Sequence, residues 1–444
     1  MLESQPWIYY VNGILFDWKH SFEEGKDVDK FKEKCLEIND MSPNDLQRNI
    51  LADEMYHKLK HAPIKNDFQY IEPSDLETIK AVRPKKTPIS NFKPDKAALF
   101  NKIYGAWLGR VAGCLLGKPI ECWHLSKIHS LLKATDNYPL SRYISSDISD
   151  EIKKGANISE SGAWINKINN KAPVDDDTNY TILGLKILEK YGRNFTSHDV
   201  GEAWLSYVPY LSTCTAERVA YKNIASGIFP PQSADHKNPF REWIGAQIRA
   251  DFYGYINPGN PEIAAEMAWR DAAISHIKNG IYGAMFVAAM LAVASITSDI
   301  MEIIKIGLSE IPEKCRLSEK IHLVLSWYKE GIAEEETIRK VHEIYNEMDA
   351  HDWCHTISNA MIVVIGLLYG NNDFEKSICL AVQAGFDTDC NGATVGSIIG
   401  MILGADKIPD KWTSPFNDLL ATTMLGYEEV KLSEVAKKTL ELID

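Results

Sequence analysis

The chain reads as an all-α protein, and three observations carry that reading. Apolar residues recur near every 3.6 positions over long segments, as in "TNYTILGLKILEKYG" (178–192) and "SEKIHLVLSWYKEG" (318–331). Strand signals are scarce: a β-branched run such as "MIVVIGLLYG" sits between helix formers and carries no alternation of polar and apolar residues. Glycine recurs at every fourth position in two places, Gly105, Gly109, Gly113 and Gly117 in "GAWLGRVAGCLLG" and Gly392, Gly396, Gly400 and Gly404 in "GATVGSIIGMILG". With 444 residues, 45% hydrophobic and 25% charged, the composition is that of an ordinary globular protein of one large or two moderate domains.

In chain order, the first 80 residues or so are charged and mixed, with helical pieces such as "DVDKFKEKCLEI". A basic stretch, "KAVRPKKTPISNFKPDK", follows with Pro84, Pro88 and Pro94 and reads as a linker or extended strap. This divides the chain into an N-terminal appendage and linker, 1–95, and a main helical domain, 96–444. The first glycine ladder opens that domain. Mid-helix glycine costs about 0.5–1 kcal/mol relative to alanine, so four on one face imply a close helix–helix approach that also gathers the loops at the helix ends. Asn279 to Ser298 carries no charge over about the length that spans a bilayer, but its polar ends and Ala/Gly-rich middle indicate a helix buried on all sides.

Two acidic knots precede predicted helices. "PVDDDTNYTILGL" places Asp175, Asp176, Asp177 and Thr178 before one, and "GFDTDCNG" places Asp387 and Asp389 before the second glycine ladder. Capping and the helix dipole account for one or two acids. Three consecutive carboxylates repel, and an oxygen-only donor set suits Mg²⁺ or Mn²⁺ better than zinc. An EF-hand reading of the second knot fails because the required acidic position is Ile398. A phosphotransferase D-x-D needs a preceding strand, and "CLAVQAGF" looks helical. Isoprenoid diphosphate chemistry asks for carboxylates at i, i+1 and i+4, where this chain has Asn179 or Tyr180. What remains is two half-sites that together hold two hard cations.

At this point the residues resemble a known family. "IYGAWLGRVAGCLLGKPIE", "VDDDTNY" and "AGFDTDCNGATVGSIIGMILGADKIPDKW", in that order, are similar to the ADP-ribosylglycohydrolase family, which includes dinitrogenase reductase-activating glycohydrolase, over about 100–412. The resemblance implies an all-α orthogonal bundle with a binuclear magnesium centre between the two acidic loops. It assigns Asp175, Asp176, Asp177, Asp387, Asp389 and Cys390 to the metals, with Asp175 replacing the first hydroxyl ligand and Cys390 the last. Glu121, after Pro119, is implied beside the metals, and Glu121 or Asp177 becomes the catalytic base. The family's Asp after the third glycine is Cys114 here, which removes any supporting role for it. "AAISHIKNG" nominates His276 on the substrate side, and "IGAQIRAD" loosely nominates Gly245 and Arg249 near the ADP-ribose phosphates.

The implied reaction is magnesium-dependent hydrolysis of an N-glycosidic bond in an ADP-ribosyl or related ribosyl substrate. The alternatives are a nucleoside-like ribosyl N-glycoside as substrate, or a module that binds ADP-ribose or a nucleotide without cleaving it. The net charge of −13, with no basic stripe interleaved with aromatics, speaks against a nucleic-acid partner. Eight scattered cysteines without C-x-x-C, and no apolar leader in "MLESQPWIYYVNG", lead to the expectation of reduced thiols and a cytoplasmic protein. "HDWCHT" spaces His351 and His355 like a zinc-binding pair, but the zincin pattern needs Glu where Asp352 stands, so they read as helix-start residues near the core. The sequence lacks G-x-S-x-G and G-x-G-x-x-G.

Overall fold

The two glycine ladders form the helix pair on which the site is built. A computed structural model describes residues 7, 9–43, 45–85, 95–158 and 163–443; Pro88, Pro94 and most of the basic linker lie outside the described residues. The first glycine helix, Lys96–Gly117, is capped by Asp95, whose carboxylate accepts the Ala98 N–H at 2.8 Å. The second is Thr388–Leu403. They run antiparallel, rung on rung. A Cβ on Gly105 would lie 2.4 Å from the carbonyl oxygen of Gly400, one on Gly109 2.0 Å from that of Gly396, and one on Gly113 1.9 Å from that of Gly392. Only hydrogen fits these gaps, and backbone-on-backbone packing at native density offsets the conformational cost of the glycines.

This geometry has a direct consequence for the site. Antiparallel pairing sets the C-terminal end of the first helix, which leads to Glu121, beside the N-terminal end of the second, where Asp387 and Asp389 lie. The hydroxyl of Thr388 donates to the Gly117 carbonyl at 2.9 Å and fixes that junction. Gly109→Ala is expected to force the helices apart and to lower stability by about 2–3 kcal/mol. Urea denaturation checks this; an unchanged midpoint contradicts the rung-on-rung packing.

The charge-free segment is the Lys278–Ala294 helix, with every residue from Asn279 to Ala294 buried. The Pro261–Ala272 and Ile300–Leu308 helices pack on it. No described helix is long and apolar enough to cross a membrane. The first acidic knot caps the Asp176–Tyr191 helix, which ends at Gly192 with φ +69°, a left-handed turn that glycine makes without strain. The main departure from all-helical structure is an antiparallel ribbon, Leu419–Ala421 with Glu429–Lys431. Three-residue strands are too short to show an alternation in sequence. The ribbon braces the first acidic loop, because the Ala172 N–H donates to the Leu419 carbonyl at 3.0 Å.

Near the N-terminus, helices Ile14–Glu23, Lys32–Asp40 and Leu46–Lys60 surround a small core of their own that includes Ile14, Val28, Ile38 and Leu59. The chain then runs along the main body. The Ile71 N–H donates to the Lys314 carbonyl at 2.8 Å, Glu72 pairs with Arg316 at 2.8 Å, and Ile79 enters the main core.

Candidate functional site

The first loop presents its carboxylates differently from one another. Asp175 is the N-cap, its Oδ1 accepting the Asp177 N–H at 2.8 Å, while Lys118 from the end of the first glycine helix forms an ion pair with its other oxygen. Asp177 is fully buried and gripped by Arg110, which donates to its carboxylate at 3.0 Å and to its carbonyl at 2.8 Å. Arg110 also pairs with Asp251 at 2.9 Å. Asp176, between them, is half-buried.

The second loop comes up opposite. Asn359 accepts the Asp387 N–H at 3.1 Å and the Asn391 side-chain amide at 2.8 Å, so its carbonyl oxygen orders the turn. Cys114, Asp175, Asp177 and Asp389 each offer one ligand atom within 4.8 Å of the others, and so do Asp387, Asp389 and Cys390. Half-buried Glu121 lies at the edge of this cluster. Three buried oxygens, Asp177 Oδ2, Asp387 Oδ1 and Asp389 Oδ1, have no hydrogen-bond partner. A buried carboxylate oxygen left unpaired costs roughly 1–3 kcal/mol or more, and three of them across one gap fit a cation of high charge density.

Electrostatics supports that fit. The nearby Asp389 charge, then burial, raises the Glu121 carboxyl well above its ordinary range. Burial and Asp389 do the same for Asp387, and burial raises Asp177 despite Arg110. Asp176 is pushed up to about 7 by burial and by Asp175. Asp389 is raised by burial and Asp175. Asp175 alone is lowered: burial opposes ionisation there, and the Lys118 ammonium with the Asp177 N–H outweighs it. Burial raises the thiols of Cys114 and Cys390 well above their ordinary value, so both are neutral. With these carboxyls raised, the cluster retains protons that a bound cation would have to displace.

The remaining nominated residues gather around Glu217, whose charge reaches Asp176 of the first acidic loop. His276 is fully buried, with Nδ1 2.8 Å from the Ser275 hydroxyl and Nε2 4.0 Å from Glu217. Arg249 is buried between Asp271 at 2.6 Å and Glu217 at 2.5 Å, and Gly245 backs onto the Glu217 carboxylate. All three thus converge on Glu217, which sequence reasoning did not single out. Lys118 and Arg110 were also missed, although both sit in the quoted glycine motif. Cys114, set aside from its sequence position, has its sulfur among the carboxylates of the first cluster.

Fold and site together define an all-helical protein with a buried acidic centre between two helix N-termini. The family model for ADP-ribosylglycohydrolase matches residues 95–442, and the chain belongs to that family; it is a glycosyl hydrolase. A solved structure described as an ADP-ribosylglycohydrolase-related protein complex is similar at 18% identity and TM-score 0.42, covering 78% of this chain and 98% of that one. A search of curated proteins found no match.

Proposed function

We propose that the chain is a magnesium-dependent N-glycoside hydrolase of ADP-ribosyl groups, with Asp175, Asp177, Asp387 and Asp389 holding two ions and Asp176 and Cys390 flanking them. Mn²⁺ meets the same oxygen preference. The observation that carries this reading is the set of three buried carboxylate oxygens, on Asp177, Asp387 and Asp389, that find no hydrogen-bond partner among the described residues, while Asp177 and Asp387 each offer a ligand atom within 4.8 Å of one on Asp389. Mg²⁺ held there would supply positive charge to polarise ribose hydroxyls and water. Glu121 is the general base: it is half-buried and carries no ion pair of its own among the described residues, whereas Asp177 is fully buried and held by Arg110. Once a bound cation had displaced its proton, the Glu121 carboxylate would take a proton from water as the water oxygen bonds to the anomeric carbon and the C–N bond breaks. It then returns that proton to the departing nitrogen.

The test is chromatographic detection of ADP-ribose released from ADP-ribosylated peptides, beside a panel of nucleoside-like ribosyl N-glycosides. Release from the peptides alone supports the proposed substrate, and release from nucleosides alone overturns it. One observation favours a second reading, binding without cleavage: the Lys118 ammonium already sits on Asp175. Calorimetric binding of ADP-ribose with no product over hours selects that reading.

A pH effect follows from the raised carboxyls. Burial and then the Asp175 charge push the Asp176 carboxyl from its ordinary 3.8 up to about 7. The native state therefore binds more protons than the unfolded chain between those values, and this group's contribution to stability falls as pH rises through the window. Mg²⁺ relieves the exposed charge, so the rise in melting temperature on adding Mg²⁺ is expected to be larger at pH 7.5 than at pH 5. Calorimetric scans at both values check this, with an Asp387→Asn/Asp389→Asn double variant expected to show neither rise.

A further inference from the structure

A second cluster of ligand-type side chains lies behind the second acidic loop, on the side of the Ile14–Glu23 helix; Cys354, next to His355, has its sulfur 4.0 Å from Asp387 Oδ2. His20 and Glu23 share a face of the Ile14–Glu23 helix at i, i+3. His351 lies in the short Ala350–Cys354 helix, and His355 caps the Thr356–Gly370 helix that follows. The backbone break between those helices, not one continuous helix, aims both rings at Glu23. Lys19 holds the two parts together through ion pairs to Asp349 at 2.7 Å and Asp352 at 2.6 Å.

The distances suit a metal. Glu23 Oε2 is 3.0 Å from His351 Nε2 and 3.8 Å from His355 Nε2, and all four residues offer ligand atoms within 4.8 Å of one another. Ligands about 2.0–2.1 Å from a tetrahedral zinc ion stand roughly 3.3 Å apart, between those two values. A purely hydrogen-bonded cluster explains less. Among the described residues, neither ring nitrogen of fully buried His20 is hydrogen-bonded, with Glu242 no nearer than 3.9 Å from Nδ1, and buried His355 Nε2 also lacks a hydrogen-bond partner. Each such group costs about 1–3 kcal/mol when nothing satisfies it.

We propose that His20, Glu23, His351 and His355 form a four-coordinate site for a borderline divalent transition metal, Zn²⁺ in the first place, that fastens the N-terminal helix to the main domain. Three imidazoles and one carboxylate match the ligand preference of zinc and not of magnesium, so this site and the acidic one sort different ions. Arg316 lies 3.8 Å from Glu23, but its charge is shared with Glu72 and Glu242, each at 2.8 Å. Burial keeps His20 and His355 neutral, the form that ligates, with His355 down to about 3. The site is not prebuilt in full. The Trp243 indole N–H faces His351 Nδ1 at 3.4 Å, and the Ile357 amide faces His355 Nδ1 at 3.1 Å. Ligation through Nε2 moves each ring's proton to Nδ1, so both contacts must lengthen when the ion enters.

The experiment uses full-length protein stripped with chelator and titrated with Zn²⁺ by calorimetry, then with Co²⁺ as a spectroscopic probe. To separate the two sites, the Asp387→Asn/Asp389→Asn variant is run beside wild type, with His20→Gln and His355→Gln as tests of the cluster. The expected result is one equivalent of Zn²⁺ retained in the aspartate variant and lost in both histidine variants. It is accompanied by the intense visible bands of four-coordinate Co²⁺ and a zinc-induced rise in melting temperature that His20→Gln removes. Circular dichroism verifies that the histidine variants are folded; if one is not, the Co²⁺ spectrum of the Asp387→Asn/Asp389→Asn variant decides alone. No saturable Zn²⁺ uptake or only six-coordinate Co²⁺ bands in the aspartate variant, or wild-type uptake by folded His20→Gln, overturns the proposal.

Discussion

Asp389→Asn is expected to reduce turnover by on the order of 10³-fold and to abolish Mg²⁺ uptake, while the metal-free protein becomes no less stable. Both halves of that expectation come from the same geometry. Asp389 belongs to both ligand groups of the acidic centre, with Cys114, Asp175 and Asp177 on one side and Asp387 and Cys390 on the other. Its charge is also the largest influence raising Glu121. Removing it would take away a donor common to both ligand groups and a charge that repels the neighbouring carboxylates. A residue kept for structure behaves oppositely, losing stability together with activity. Turnover assays and thermal scans on one preparation separate the two, and a large stability loss contradicts the assignment of Asp389 to the ions.

Arg110→Met is expected to cost about 3–5 kcal/mol, the penalty of leaving buried carboxylates without their cation. Arg110 is fully buried and serves Asp177 and Asp251 together, with a further donation to the Ile248 carbonyl at 2.6 Å. Lysine keeps the charge but not the planar fork, so Arg110→Lys is expected to recover only part of the loss. Chemical denaturation at neutral pH measures both variants. A loss under about 1 kcal/mol for methionine places Arg110 outside the framework that holds the first loop.

The parts of the site legible in sequence are those that local patterns encode. Glycine at every fourth residue is a one-helix signal, and its outcome, Gly109 against Gly396, follows from close packing alone. Acid knots before helices are likewise local, and Asp175 proved to be both a cap and a member of the cluster, so the two readings of it were never exclusive. Long-range placements were not legible. Lys118 appears as one residue of a motif until the fold lays it on Asp175, and Glu217 has no local signature at all. The Cys114 position illustrates the limit of motif matching. Its difference from the family's aspartate registers as a loss, yet its sulfur lies within ligand distance of three carboxylates. His351 and His355 read as helix starts because their partners, His20 and Glu23, stand more than three hundred residues earlier in the chain. The short ribbon at Leu419–Ala421 escaped for lack of length.

The central claim is that the two acidic loops act as one cation-dependent hydrolytic centre. Its most direct test is a titration of chelator-stripped protein with Mg²⁺, following ADP-ribose release and ion uptake in the same samples. The account predicts no turnover without the ion, and activity that rises in step with filling of sites absent from the Asp387→Asn/Asp389→Asn variant. Undiminished ADP-ribose release by wild type in excess chelator contradicts it.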